Sequence, residues 1–115
     1  MKIAVYGTLK SMYGNNRLMQ GSTLVGTGWI TGHRLYEAGI PFVVKDNTAD
    51  YSIQVEVYEV PEDQLPRIDS LEGHPTWYKR EPTDVIMEDS TSLSSEVYKM
   101  AHQPEGTIEN ITGVF

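Results

Sequence analysis

Short segments in which apolar and polar residues alternate recur along the chain, and this period of two is the pattern of β-strands with one covered face. It is clearest over residues 51–60, where Ile53, Val55 and Val57 share a face that we expect to be buried. The opposite face, which is expected to be partly wet, carries Gln54, Glu56, Tyr58 and Val60. Other strands are predicted for residues 3–6, for one bent or two short strands within 23–37, and for 41–44, 77–81, 83–87 and 96–101.

A short helix is predicted for residues 66–72. Pro66 suits a helix start because its ring presets φ and because an N–H donor would have no partner there. Gly73 and Pro75 are expected to end the helix, since Gly adopts the left-handed conformation and Pro cannot continue the hydrogen-bond pattern.

The segments between these elements are predicted to be irregular. A single helical turn capped by Asn15 is expected over residues 15–19. Pro82 is expected to interrupt the strand pattern, residues 90–95 to form a polar turn, and residues 102–115 to form an irregular tail.

Strands therefore dominate the predicted structure. Parallel strands joined by a crossover helix need a long helix between them, and the pattern contains none. The prediction is an α+β fold with a small β-barrel or half-barrel and a few short helices, formed by residues 1–115 as a single domain.

Composition narrows the classes of function. The 9 basic and 16 acidic residues give a net charge of −7, which argues against binding to a nucleic-acid backbone. The absence of cysteine excludes disulfides, thiolate nucleophiles and zinc–thiolate sites. No segment resembles a secretory signal or reaches the roughly 18 apolar residues of a membrane span, so a cytoplasmic protein is expected. The three histidines lack ligand spacing and no Gly-x-Ser-x-Gly motif occurs, so neither a metal site nor serine hydrolysis is predicted.

The strand that starts the chain stops abruptly at Gly7 and is followed by Thr8 and Leu9. Gly allows close approach to the backbone, and successive N–H groups can form a concavity that binds anions. Taken alone, the same residues better fit a strand that ends in an ordinary turn.

Glu72 breaks the pattern of the predicted helix. Its spacing places it on the face of Leu65, Ile68 and Leu71, which should point into the core. It also lies at the helix C-terminus, where the helix dipole disfavours negative charge. Both burial and the dipole should raise the pKa of this carboxyl, and such a carboxyl can act as a general acid or base near neutral pH.

Two structural interpretations of Glu72 remain open. The side chain could turn back to solvent past a frayed helix end, or it could form a structural ion pair with Arg67 or Arg80. Arg80 could alternatively pair with Glu81 or Asp84.

Several motifs in order along the chain resemble the γ-glutamylcyclotransferase-like family, which includes the γ-glutamylamine cyclotransferases and the AIG-type proteins. They are Val-Tyr-Gly-Thr-Leu at residues 5–9, Val-Glu-Val-Tyr-Glu-Val at 55–60, and Asp-Ser-Leu-Glu-Gly-His-Pro at 69–75, followed by Tyr78 and Arg80. The resemblance covers residues 5 to about 98.

The resemblance implies a mixed barrel with a few short helices and a pocket at its mouth. It further implies that Glu72 is the catalytic acid/base and that Tyr6, Gly7, Thr8 and Leu9 hold the glutamyl moiety.

The segment 39–44 resembles the family's Gly-Tyr-Pro-Ala-Val segment and adds Gly39 to the predicted binding residues, with Ile40 and Phe42 as departures. The hydroxyls of Tyr78 and Tyr98 are further candidates to line the pocket, although tyrosines more commonly lie at the edge of the core.

The function implied by this resemblance is release of 5-oxoproline from a γ-glutamyl amine or γ-glutamyl amino acid. The α-amine of the substrate attacks its own γ-carbonyl, so the reaction needs no protein nucleophile and no cofactor. The expected partner is therefore a small γ-glutamyl molecule. The alternative is a catalytically inactive family member that binds small molecules or other proteins.

Overall fold

Eight strands and one helix form the regular structure of the described residues, which are 1–7, 10 and 19–115 in this computed structural model. The strands are β1 (Lys2–Val5), β2 (Thr23–Ile30), β3 (His33–Glu37), β4 (Pro41–Lys45), β5 (Ile53–Glu59), β6 (Lys79–Met87), β7 (Ser92–Lys99) and β8 (Ile108–Glu109), and the helix is α1 (Leu65–Glu72). Apart from Met19, the predicted turn capped by Asn15 lies outside the described residues.

Five of these strands close into a barrel in the order β1-β5-β2-β6-β7. The neighbouring pairs are antiparallel except β1 and β7, which are parallel, with Ile3 opposite Glu96 and Ala4 opposite Val97. The predicted α+β fold with a small mixed barrel is confirmed.

A second sheet, in the order β4-β3-β8, packs beside the barrel. It joins the barrel where the N–H of Met100, just after β7, donates to the Val43 carbonyl at 2.9 Å. Its Leu35 and Val43 are fully buried in the same apolar cluster as the barrel residues Val55 and Val57. The second sheet therefore extends the core of the barrel and fixes the start of β4 near the ends of β1 and β7.

Strand β5 is buried more completely than its alternating pattern predicts. Ile53, Val55 and Val57 are fully buried, as expected. Tyr58 and Val60, which were expected on a partly wet face, are only 5% and 1% exposed. They belong to a second apolar cluster with Leu65 and Ile68, so helix α1 covers the face that the pattern leaves open.

Helix α1 has the limits that its sequence predicts to within one residue, because Pro66 lies in its first turn and Gly73 ends it with φ 67°. Leu65 and Ile68 are buried, but Leu71 is 41% exposed, so its predicted burial is wrong. The cause is position, since Leu71 lies in the last turn, beyond the barrel surface that Leu65 and Ile68 cover. Within the described part of the chain, no helix is long and apolar enough to cross a membrane.

Strands β6 and β7 form a longer hairpin than predicted. Pro82 does not interrupt β6 but pairs with Glu96 of β7, and residues 92–95 belong to β7 rather than to a polar turn. Pro82 is tolerated because only the last part of β6, at Ile86 and Met87, also pairs with β2. The side of Pro82 that lacks an N–H therefore faces no strand of the described residues.

The predicted irregular tail is partly ordered by pairing. Strand β8 pairs with β3, and the N–H of Asn110 donates to the Leu35 carbonyl at 2.7 Å. The Gly113 carbonyl accepts a hydrogen bond of 2.8 Å from the N–H of Gln54. Because these partners lie far away in sequence, local patterns gave no sign of them.

Candidate functional site

A cavity of about 160 Å³ opens at the end of the barrel where β1 and β7 finish and β6 begins. Helix α1 and the start of β4 complete its wall. This space, termed the Glu72 cavity, is lined by Ala4, Val5, Tyr6, Gly7, Ile40, Pro41, Leu71, Glu72, Trp77, Tyr78 and Tyr98. Five residues predicted for the site therefore lie together, namely Tyr6, Gly7, Glu72, Tyr78 and Tyr98.

Gly7 provides the backbone wall of the cavity directly after β1. A Cβ atom at this position would lie 2.6 Å from Cγ of Pro41, so a larger residue would clash with the start of β4. The Gly7 carbonyl accepts a hydrogen bond of 2.9 Å from the N–H of Lys10. The predicted binding residues Thr8 and Leu9 lie outside the described residues.

Glu72 is the last residue of α1 and is partly buried in the cavity wall. Burial raises the pKa of its carboxyl to about 7, so the carboxyl exchanges its proton in the neutral range. The expected rise in pKa is thus found, whereas the catalytic role of Glu72 stays a prediction.

The predicted ion pairs of Glu72 are not formed with any residue that the structure describes. Arg67 is exposed on the helix surface, and Arg80 instead binds Asp69 and Glu96. The proposed pairs of Arg80 with Glu72, Glu81 or Asp84 are therefore wrong, because the β6–β7 register brings Glu96 beside Arg80 and the helix presents Asp69 to it.

Asp69 anchors the last turn of the helix to the barrel, a role that the sequence reasoning missed. Its Oδ1 accepts hydrogen bonds from Nε of Arg80 at 2.7 Å and from the Tyr98 hydroxyl at 2.6 Å. Burial alone would raise the pKa of Asp69, but these two hydrogen bonds, together with the positive charge of Arg80, outweigh it and hold the pKa below its usual range. Its place three residues before Glu72 was the available sequence signal, since residues at that spacing lie on one helix face.

The three cavity tyrosines all donate their hydroxyl protons to the protein. Tyr6 donates to the Tyr98 carbonyl at 2.6 Å, Tyr78 donates to the Pro41 carbonyl at 2.8 Å, and Tyr98 donates to Asp69. Burial is the main cause that raises the pKa of each phenol, and the neighbouring charge of Glu72 raises all three further. These side chains stay neutral and can accept, but not donate, a further hydrogen bond.

Tyr78 is tied to Glu72 through the backbone, because its N–H donates to the Glu72 carbonyl at 3.2 Å. Its ring stacks on Phe42, with centroids 5.7 Å apart and planes at 8°. Tyr78 and Tyr98 thus fulfil both interpretations offered by the sequence: each is buried in the core, and each lines the cavity.

Gly39 does not line the Glu72 cavity, although its neighbours Ile40 and Pro41 do. It borders a separate surface hollow beside β8, and a Cβ atom there would meet none of the described residues within 4 Å. Trp77 belongs to the strand predicted for residues 77–81, but it lies before β6 and is 50% exposed at the cavity mouth. Gly39 and Trp77 both lie in loops. Because loops have no regular period of apolar residues, the sequence pattern does not show which way these residues face.

The arrangement can perform proton exchange on a small molecule. It offers one carboxyl of near-neutral pKa, backbone polar groups after β1, and an otherwise largely apolar wall. Among the described residues, no cluster of three or more His, Asp or Glu side chains could hold a metal ion.

Comparison with known proteins finds the family that the sequence motifs resemble. Residues 3–113 match the sequence model of the family described as gamma-glutamyl cyclotransferase, AIG2-like. A Methanocaldococcus jannaschii protein, provisionally named a γ-glutamylcyclotransferase, is 33% identical over 98 residues, which are 84% of this chain and 81% of that protein.

Solved structures show the same fold. The crystal structure of an uncharacterized Pyrococcus horikoshii protein superposes with a TM-score of 0.77 at 29% identity, covering 100% of this chain and 89% of that one. An AIG2-like protein from Mus musculus superposes with a TM-score of 0.80 at 30% identity, covering 90% of this chain and 80% of that one.

Proposed function

Because the chain belongs to the AIG2-like γ-glutamyl cyclotransferase family, we propose that it releases 5-oxoproline from a γ-glutamyl amine or a γ-glutamyl amino acid. Glu72 acts as the general acid and base, and residues 6–9 hold the glutamyl moiety. The observation that carries this proposal is the partly buried carboxyl of Glu72, whose pKa is about 7 in a cavity that Gly7 also lines.

In the proposed reaction, the α-amine nitrogen of the substrate attacks its γ-carbonyl carbon and forms the new ring C–N bond. The Glu72 carboxylate takes a proton from that nitrogen as the carbonyl oxygen becomes negative. The protonated carboxyl then gives the proton to the amide nitrogen, the amide C–N bond breaks, and the free amine leaves with 5-oxoproline. A carboxyl with a pKa near neutrality suits both transfers, because neither of its forms is strongly preferred.

The negative oxygen and the substrate carboxylate need hydrogen-bond donors. The hydroxyls of Tyr6, Tyr78 and Tyr98 already donate to protein acceptors. We therefore assign this role to backbone N–H groups from Gly7 onward. Holding the substrate folded at this turn would also bring amine and carbonyl together, which favours ring closure.

The test measures 5-oxoproline and free amine released from a panel of γ-glutamyl amines and γ-glutamyl amino acids. We expect Glu72→Gln to lower kcat by about 10²- to 10⁴-fold, the usual contribution of a general acid/base. Glu62→Gln, which alters an exposed carboxylate in the turn before α1, should retain full activity. A wild-type protein that binds the panel but is as inert as Glu72→Gln would instead identify a non-catalytic binding member.

A further inference from the structure

Three large apolar side chains surround the mouth of the Glu72 cavity and remain open to solvent. Ile40 is 39% exposed, Leu71 is 41% exposed and Trp77 is 50% exposed. They come from three separate segments, namely the loop before β4, the last turn of α1 and the loop before β6. Single exposed apolar residues are ordinary, but a group of them at the rim of a pocket marks a binding surface. These three residues are termed the apolar rim.

Contacts with the protein hold Trp77, one residue of the apolar rim, in position. The N–H of Trp77 donates to the Gly73 carbonyl at 2.8 Å, which fixes its backbone beside the helix end. Its ring meets Tyr78 edge-on at 4.9 Å and Phe42 at 6.0 Å between centroids. Because the ring is already supported by these contacts, binding a ligand against it costs little conformational entropy.

The charge of the site selects against an anionic group at the rim. No Lys, Arg or His is found among the described residues that line the cavity. The nearby Arg80 is already bound to Asp69 and Glu96. A carboxylate on the departing amine would therefore lie near the Glu72 carboxyl with no described cationic partner, which is unfavourable in a partly desolvated site.

In the proposed function, the glutamyl moiety lies inside the Glu72 cavity, between Gly7 and Glu72. The departing amine therefore points outward to the mouth of the cavity. We propose that the protein prefers γ-glutamyl amides whose departing amine carries an uncharged apolar or aromatic group, and that Ile40, Leu71 and Trp77 bind this group. The proposal rests on the proposed function for the direction in which the amide lies, and it assigns the specificity of the same site.

The test compares γ-glutamyl benzylamide with γ-glutamyl methylamide and with γ-glutamyl glycine, whose departing amine is anionic. Wild-type kcat/KM should be at least about tenfold higher for the benzylamide than for either competitor, the scale of discrimination by an apolar pocket. Trp77→Ala should reduce the benzyl-to-methyl ratio to about 2 or less, and Leu71→Ala should reduce it in the same direction. Ile86→Ala removes an apolar side chain that is 45% exposed but does not line the cavity, and it should leave the ratio unchanged.

A binding measurement separates this inference from the proposed reaction. The chain has two tryptophans, so Trp29→Phe leaves Trp77 as the sole indole, whose fluorescence reports occupancy of the rim. If no amide releases 5-oxoproline, the proposed function fails, while tighter binding of the benzylamide than of the methylamide still supports the rim. Equal affinities for the two amides would overturn the inference. It would also be overturned if Trp77→Ala and Leu71→Ala both fold and both keep the wild-type benzyl-to-methyl ratio of kcat/KM.

Discussion

Arg80 is bound to Asp69 and not to Glu72, although Glu72 lies only one helical turn further on. Nε of Arg80 donates to Oδ1 of Asp69 at 2.7 Å, and Nη2 donates to Oδ2 at 3.2 Å. This bidentate contact fastens α1 to β6 and leaves Glu72 without an ion pair to any residue the structure describes. The two carboxyls on one helix therefore differ in environment, and the pKa of Asp69 is lowered whereas that of Glu72 is raised.

Removing the charge of Arg80 should destabilise the protein. The side chains of Arg80 and Asp69 are 14% and 20% exposed, so Arg80→Gln would leave a mostly buried carboxylate unpaired. We expect a loss of about 2 kcal/mol in the free energy of unfolding at pH 7, less than for a fully buried pair. Because the pKa of Asp69 is lowered, the pair stabilises at neutral pH and its contribution is lost as pH falls through that pKa. Urea unfolding at pH 7 and in acid measures both effects.

Two further variants serve as comparisons for the urea unfolding of Arg80→Gln. Arg80→Lys keeps the charge but not the two parallel hydrogen bonds, so its stability should be intermediate. Arg67→Gln changes an exposed arginine on the same helix and should stay within about 0.5 kcal/mol of wild type. If Arg80→Gln were as mild as Arg67→Gln, the ion pair would not be holding the helix.

Glu72 should make the folded protein less stable as pH rises. Its folded pKa of about 7 lies above its ordinary value, so between these two values the folded state binds more protons than the unfolded state. Stability therefore falls through this window and stays reduced above pH 7. Glu72→Gln should be more stable than wild type at pH 8, by at most about 3 kcal/mol, with the difference vanishing near pH 4.

Urea unfolding of both proteins at pH 4 and pH 8 tests this dependence, and NMR titration of the Glu72 carboxyl measures its pKa directly. Glu62→Gln serves as the control at an exposed position. A stability difference for Glu72→Gln that does not change with pH, together with a titration near about 4.3, would contradict the effect of burial.

The hydroxyl of Tyr6 should contribute to stability through its buried hydrogen bond to Tyr98. Tyr6→Phe removes the donor to the Tyr98 carbonyl, 2.6 Å away, and leaves that carbonyl without this partner. The expected cost is about 1 to 2 kcal/mol by chemical denaturation. Tyr36→Phe is the matched comparison, because the Tyr36 hydroxyl bonds to none of the described residues, and it should cost much less. Equal costs would mean that the Tyr6 hydrogen bond does not stabilise the fold.

The packing of the last residues can be tested at two glycines that share a backbone conformation. Gly106 and Gly113 have φ values of 76° and 73°, so alanine is strained at both. A Cβ at Gly106 would meet no atom of the described part of the chain within 4 Å, whereas one at Gly113 would lie 1.8 Å from the carbonyl oxygen of Ser52. Gly113→Ala should therefore lose at least about 2 kcal/mol more than Gly106→Ala. Similar melting temperatures for the two variants would show that the tail is not packed against β5.

Features that depend on neighbouring residues could be predicted from the sequence. The alternation at Ile53, Val55 and Val57 identifies a buried strand face, because side chains on a strand point to opposite sides in turn. Pro66 and Gly73 delimit the helix because each restricts the backbone locally. The position of Glu72 on that helix was enough to predict the direction of its pKa shift.

Features that depend on distant contacts were decided only by the tertiary structure. No local pattern shows that α1 covers Tyr58, or that Arg80 meets Asp69 across the gap between β6 and the helix. The sequence likewise could not show that Leu71 and Trp77 meet at one cavity mouth. The physical reason is that burial and electrostatic partners depend on which surfaces face each other after the barrel closes. Closure joins β1 to β7 across more than 90 residues of chain, as in the Ile3–Glu96 pair.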